Sequence, residues 1–353
     1  MSVASDLRGF DPASWLPLGR SFVHPLFDLM IIGGGLSLLT ASLLYFTGHL
    51  SEGDFSREAV IAIVLFANSA HFAASTVRLY SKPGAFEQLP VMTMLLPLVS
   101  VVVLTLGLLF PAVIGGNLYL LYLSWSPYHY AAQTYGLASM YAARSQRGLD
   151  SSERWILWAV CLLPFLYAFV QAPGSGLGWI LPPSFWLEHP AWLELRWQLG
   201  ELLIPVVFVA PFVLLFRFHR RTGSGLPAIC WLLILTNGIW WVTLTYVQAF
   251  VWATIFHGVQ YLAIVIIFHL RDHPPRRVGR AAWLAPALKF YGACLLLGYA
   301  LFEIWPYVYV LAGFGFAESA LMCAAVINLH HFIVDRGIWQ IRSDARNQRS
   351  VQS

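Results

Sequence analysis

Charge is scarce in this chain. Asp, Glu, Lys and Arg make up 11% of its 353 residues, against roughly 25% in a soluble domain that must cover its surface with them. A water-soluble globule is thereby excluded. The net charge of +4 resides in loops, so no nucleic-acid partner is implied. Cysteine is equally sparse: Cys161, Cys230, Cys294 and Cys323 each fall in an apolar stretch, far from one another. That spacing supports neither a disulfide frame nor a CxxC metal site, and the four read as small core residues. Residues 1–20 contain Asp6, Arg8, Asp11 and Arg20 but no apolar core run, so no cleavable signal peptide is expected. A linker rich in Ser, Gly or charge is also missing, and a single transmembrane domain over 1–353 is expected.

Apolar residues, by contrast, make up 58% of the chain. They recur in continuous stretches of roughly 20, long enough to cross roughly 30 Å of hydrocarbon as helix. Because the stretches do not alternate, helix is favoured over barrel strand. The expectation is an all-α polytopic membrane bundle of about ten spans, near 26–47, 57–79, 90–111, 114–142, 154–172, 201–218, 227–248, 251–270, 282–303 and 309–335. Lys and Arg concentrate in alternate loops: Arg78 and Lys82; Arg144, Arg147 and Arg154; Arg217, Arg220 and Arg221; Arg271 to Arg280; and the basic tail at about 337–353. The positive-inside rule then places both termini in the cytoplasm, in what is expected to be a bacterial inner membrane. A segment at about 173–200, rich in Gly, Pro and Trp, is expected to lie on the outer interface.

Ionisable groups at membrane depth are costly and mark function by default. Five of the eleven histidines are flanked one helical turn away on both sides by polar residues: His24 by Ser21 and Asp28, His71 by Asn68 and Ser75, His129 by Ser126 and Gln133, His257 by Thr254, Gln260 and Tyr261, and His331 by Asn328 and Asp335. A metal-bound imidazole needs a partner for its second nitrogen, and a polar residue three or four positions away is placed to supply one. His71, His129, His257 and His331 are therefore the expected metal ligands. Gln133, Tyr261 and Asp335 are expected to orient them and take part in catalysis, and His24, Asp28 and His330 to lie at a cofactor. Counted from the cytoplasmic ends, His129 and His257 lie roughly 20 Å deep, His71 roughly 13 Å and His331 roughly 7 Å at 1.5 Å per residue. Gly33-Gly34-Gly35 permits a close helix approach or a local break, and close packing is the expectation.

Neutral imidazoles suit iron, copper, zinc or nickel, and a site at membrane depth suits a lipid substrate. Non-haem iron acting with O2 on a lipid or isoprenoid is the leading expectation, with an electron-donor protein as partner. Haem b in an electron-transfer protein, with His129 and His257 as axial pair, is the alternative; a transporter using histidine relays is the third. The HxxxH and HxxHH boxes of membrane fatty-acid desaturases and hydroxylases do not occur among the embedded histidines; His269-x-x-x-His273 has the first spacing but lies at a span end. The chain resembles bacterial membrane carotene-cleaving dioxygenases in architecture alone, through histidines set in membrane spans. Their paired-histidine helices are not visible, and the likeness assigns no family.

Overall fold

Long apolar runs fold here as their composition dictates. A computed structural model describes residues 16–48, 68–171, 181, 183–274 and 281–339, and among the described residues regular structure is entirely helical. In chain order the helices are α1 (Pro25–Ile32), α2 (Gly35–Phe46), α3 (Ala70–Ser81), α4 (Ala85–Gln88), α5 (Val91–Leu109), α6 (Gly116–Arg144), α7 (Ser151–Gln171), α8 (Pro183–Glu188), α9 (Pro190–Thr222), α10 (Ala228–Thr243), α11 (Tyr246–Asp272), α12 (Ala282–Leu311) and α13 (Phe316–Ile338). Six of them, α5, α7, α9, α11, α12 and α13, are long and apolar enough to cross a membrane, and α1 with α2 makes a seventh if that bent pair is one span. α6, at 29 residues, is longer than four of these six but carries Asn117, Ser124, Ser126, His129, Gln133 and Thr134 along its length. Apolar side chains cover the outside, among them Phe212 at 68% exposure and Leu311 at 90%. Such a surface is stable only against lipid or another apolar body.

Two segments differ from the sequence reading. Residues 190–200, expected as outer loop, are the first turns of the 33-residue α9. Pro190 begins that helix, where its missing N–H costs nothing, and Gly223 closes it at φ 70°. Residues 172–180 and 182 of the same expected loop, residues 57–67 of the second expected span and the tail from 340 lie outside the described residues. At Gly33-Gly34-Gly35 the chain bends by 57°. Gly34 sits at φ 87°, and a Cβ there would lie 2.5 Å from Thr236 Oγ1, so the glycines supply both the break and a close approach.

The interior is a ring of four helices. α3 packs on α11, α11 on α6, α6 on α13, and α13 back on α3. α9 is peripheral, with 17% of its apolar window buried, whereas α13 is central, with 61%. α7, α9 and α10 build outward from α6, and α5 and α12 from α13 and α3. The four histidine-bearing helices therefore face one another, with the other long helices outside them.

Candidate metal centre

His71 on α3, His257 on α11, His129 on α6 and His331 on α13 meet at the centre of this ring. Each is buried, at 0%, 4%, 8% and 0% exposure respectively. Following the helix order, ring centroids are 4.7 Å apart for His71 and His257, 5.0 Å for His257 and His129, 5.2 Å for His129 and His331, and 4.6 Å for His331 and His71. Neighbouring planes stand at 75–87° to each other. One nitrogen from each ring lies within 4.8 Å of one from every other ring. His257 Nε2 and His71 Nε2 are 3.1 Å apart.

The unequal depths counted from the sequence are absorbed by the helix ends. α6 and α11 continue well past their histidines, to Arg144 and Asp272, whereas α3 stops at Ser81 and α13 at Ile338. The ends are staggered and the imidazoles are level.

The nitrogens fit a cation. Among the described residues His129 Nε2 and His331 Nε2 are buried without a hydrogen-bond partner, and His257 and His71 turn their Nε2 atoms toward each other. An unpaired buried polar atom costs about 1–3 kcal/mol, so two such nitrogens beside two further imidazoles favour something that satisfies them. An ion bonded to imidazole at about 2.0–2.1 Å separates its nitrogen ligands by about 3–4 Å on simple geometry. The spread from 3.1 Å to 4.8 Å surrounds that range, and small rotamer shifts close the difference.

The polar flanks act differently from expectation. Each lies one turn beyond its histidine, yet it reaches across to a neighbouring helix. Ser75, beyond His71, has its Oγ 2.9 Å from His331 Nδ1 and donates to the Phe72 carbonyl at 3.2 Å. Gln133, beyond His129, donates from Nε2 to the backbone carbonyl of His257 at 3.2 Å. Tyr261, beyond His257, donates its phenol to Asp335 Oδ1. Asp335, beyond His331, turns Oδ2 toward His129 Nε2 at 3.9 Å. Two of the preceding flanks do not serve the rings: Ser126 and Thr254 donate back to the carbonyls of Tyr122 and Phe250, both at 2.7 Å.

Aromatic rings seal the group. Phe72 lies 4.2 Å from His71, Phe332 4.5 Å from His129 and Tyr130 4.4 Å from His257; Tyr130 also bonds Thr254 Oγ1 at 2.7 Å. On one side the seal opens into a cavity of about 420 Å³. Its wall includes His129, Gln133, Tyr261 and Asp335, and it extends along Trp125, Phe332 and Ile264 to Arg336 and Trp339. Sequence reasoning missed Trp339, whose indole donates to Asp335 Oδ1 at 2.6 Å; its place one turn after Asp335 was the available signal. Arg336 also lines the cavity. Arg78 is buried over the Trp339 ring at 4.5 Å and paired with Asp272 at 3.4 Å.

Three expected cofactor residues lie elsewhere. His24 is exposed, and its Nδ1 caps α1 by accepting from the Leu26 N–H at 3.3 Å. Asp28 is buried at 1% exposure because it accepts from the backbone N–H groups of Phe22, Val23 and His24, at 2.5, 3.1 and 3.3 Å, and from the Tyr141 phenol at 2.7 Å. It serves a turn and has no acceptor capacity to spare. His330 follows the geometry of a regular helix, in which adjacent side chains diverge by about 100°, and enters a separate cavity on the far side of α13. No protein-family model, no curated protein and no solved structure matches this chain.

Proposed function

We propose that this protein is a membrane-embedded non-haem iron oxidoreductase that uses O2 to hydroxylate, desaturate or cleave a lipid or isoprenoid chain. The observation that carries the reading is the convergence of four buried imidazoles, two with an unpaired Nε2, beside a cavity open to one of them. Iron bound by neutral imidazoles with coordination positions left open would supply O2 activation. The cavity volume of about 420 Å³ falls in the usual range of roughly 300–1,000 Å³ for small-molecule sites. Its mainly apolar lining, which includes the Arg336 cation, suits a chain with an anionic or polar head. Haem is disfavoured, because rings 4.6–5.2 Å apart on four sides leave no room for a porphyrin between any pair.

In this reading Ser75 holds His331 in the tautomer that presents Nε2. Gln133 ties α6 to the His257 backbone. Tyr261 and Trp339 both donate to Asp335 Oδ1, which fixes the carboxyl and leaves Oδ2 directed at the site as a carrier for one proton. The same reading keeps about ten spans with both termini cytoplasmic, in a bacterial inner membrane, testable by reporter fusions at each loop. The direct test is elemental analysis of purified protein beside His129→Ala and His257→Ala. About one iron per chain, lost in both variants, is the expected result. Zinc alone, a pyridine haemochrome signal, or metal unchanged by both substitutions would defeat the reading.

A further inference from the structure

Iron that inserts a single oxygen atom from O2 must receive two electrons from outside, and the metal group lies deep among the helices. A second cavity lies between α3, α5, α12 and α13, with a volume of about 180 Å³. Its wall is apolar except for a few groups. The Tyr80 phenol donates to the Thr93 carbonyl at 2.6 Å, and the Ser100 hydroxyl to the Leu96 carbonyl at 2.8 Å. His330 also enters the wall, and among the described residues its ring makes no hydrogen bond. An imidazole in an apolar cavity is costly unless something there pairs with it.

The cavity is also close to the metal group. Phe72 forms part of its wall and packs on His71 at 4.2 Å and on His331 at 5.2 Å. One aromatic ring thus separates the cavity from two of the four imidazoles. On α13 the two sites are joined by consecutive residues, His330 and His331.

We propose that this cavity binds a quinone ring hydrogen-bonded to His330, and that its reduced form, a quinol, is the electron donor for the metal site; the proposal rests on the iron reading above. A planar ring with carbonyl oxygens satisfies the imidazole, whereas a plain acyl chain leaves it unpaired. A quinol reaches the cavity through the lipid, so a soluble donor need not reach the buried centre. For hydroxylation the balance is substrate, O2 and quinol in, and hydroxylated substrate, quinone and water out. Both quinol O–H bonds break, one oxygen atom enters the substrate C–H bond, and the other leaves as water with the two quinol hydrogens. The site therefore selects reactions that consume two external electrons over cleavage that inserts both oxygen atoms.

The test measures binding of decylubiquinone, a short-tailed benzoquinone, to full-length protein in lipid nanodiscs. Wild type is compared with Leu297→Trp, which fills the cavity, His330→Phe, and the metal-site double variant His129→Ala/His257→Ala. Saturable binding at one per chain is expected, abolished in Leu297→Trp, weakened at least tenfold in His330→Phe and retained in the double variant. Anaerobic decylubiquinol should then erase the ferric paramagnetic signal of iron-loaded wild type but not of Leu297→Trp. Absence of saturable binding to wild type, or equal binding to wild type, Leu297→Trp and His330→Phe, overturns the quinone site. Binding as expected in protein that takes up no iron would retain the site and sink the iron reading instead.

Discussion

Ser75→Ala separates a metal centre from a merely packed histidine core. In wild type the serine oxygen lies 2.9 Å from His331 Nδ1 and gives its own proton to the Phe72 carbonyl at 3.2 Å. With Ser75 donating to Phe72, the bond at His331 runs from Nδ1–H to Oγ, and Nε2 is left with its lone pair toward the other rings. Removing the hydroxyl leaves a buried N–H unsatisfied, at a cost of about 1–3 kcal/mol. A partner that orients a metal-bound histidine is worth about 10–100-fold in affinity, or about 1.4–2.7 kcal/mol. The two ranges overlap, so the measurement must ask where the loss appears. Metal affinity by competition with a chromogenic chelator, and thermal unfolding with and without metal, give the two quantities. We expect affinity to fall 10–100-fold and the metal-induced rise in Tm to shrink. An equal drop in Tm for metal-free and metal-loaded protein, with affinity unchanged, would refute the argument that Ser75 serves a ligand.

Other substitutions probe separate parts. Tyr261→Phe removes a donor to Asp335 while Trp339 keeps its bond; turnover should fall about 10–100-fold with iron content retained, measured by product formation and elemental analysis. Gly136 lines the large cavity and has open space where a side chain would project, so Gly136→Leu should block substrate without loss of iron. Asp28→Asn sets an amide N–H₂ against two of the four donors that the carboxylate accepts. Since a hydrogen bond to a charged group is worth about 1.5–3 kcal/mol, unfolding should become easier by about that amount, while metal content stays unchanged. Iron lost from Asp28→Asn protein that remains folded would place Asp28 at the centre after all.

The sequence made the helices legible because hydrocarbon imposes length and apolarity on every spanning segment. It was silent on where α9 starts: Trp, Pro and Gly at an interface look alike in a loop and in a first helical turn. The four central histidines stood out because imidazole among Leu, Val and Phe is expensive. Their hydrogen-bond partners did not, since a residue one turn away shares a helix face yet reaches whichever helix is rotated toward it. Ser75 serving His331 and not His71 is a fact of inter-helix rotation and stagger, which no spacing within one segment encodes. Asp28 was misleading for a similar reason: the N–H groups of residues 22–24 that it satisfies precede it in the chain, and Tyr141 lies on another helix.

The crossed pairing has a consequence for biogenesis. No two helices adjacent in the chain bear two of the four imidazoles, and the hydroxyl that orients His331 comes from another helix. A chain inserted only as far as α11 can bring together at most three of them, since His331 and Asp335 arrive with α13, the last of the described helices. If the group holds a metal as proposed, its fourth ligand and the carboxylate beside it are added together, at the end of assembly, when the surrounding walls have closed.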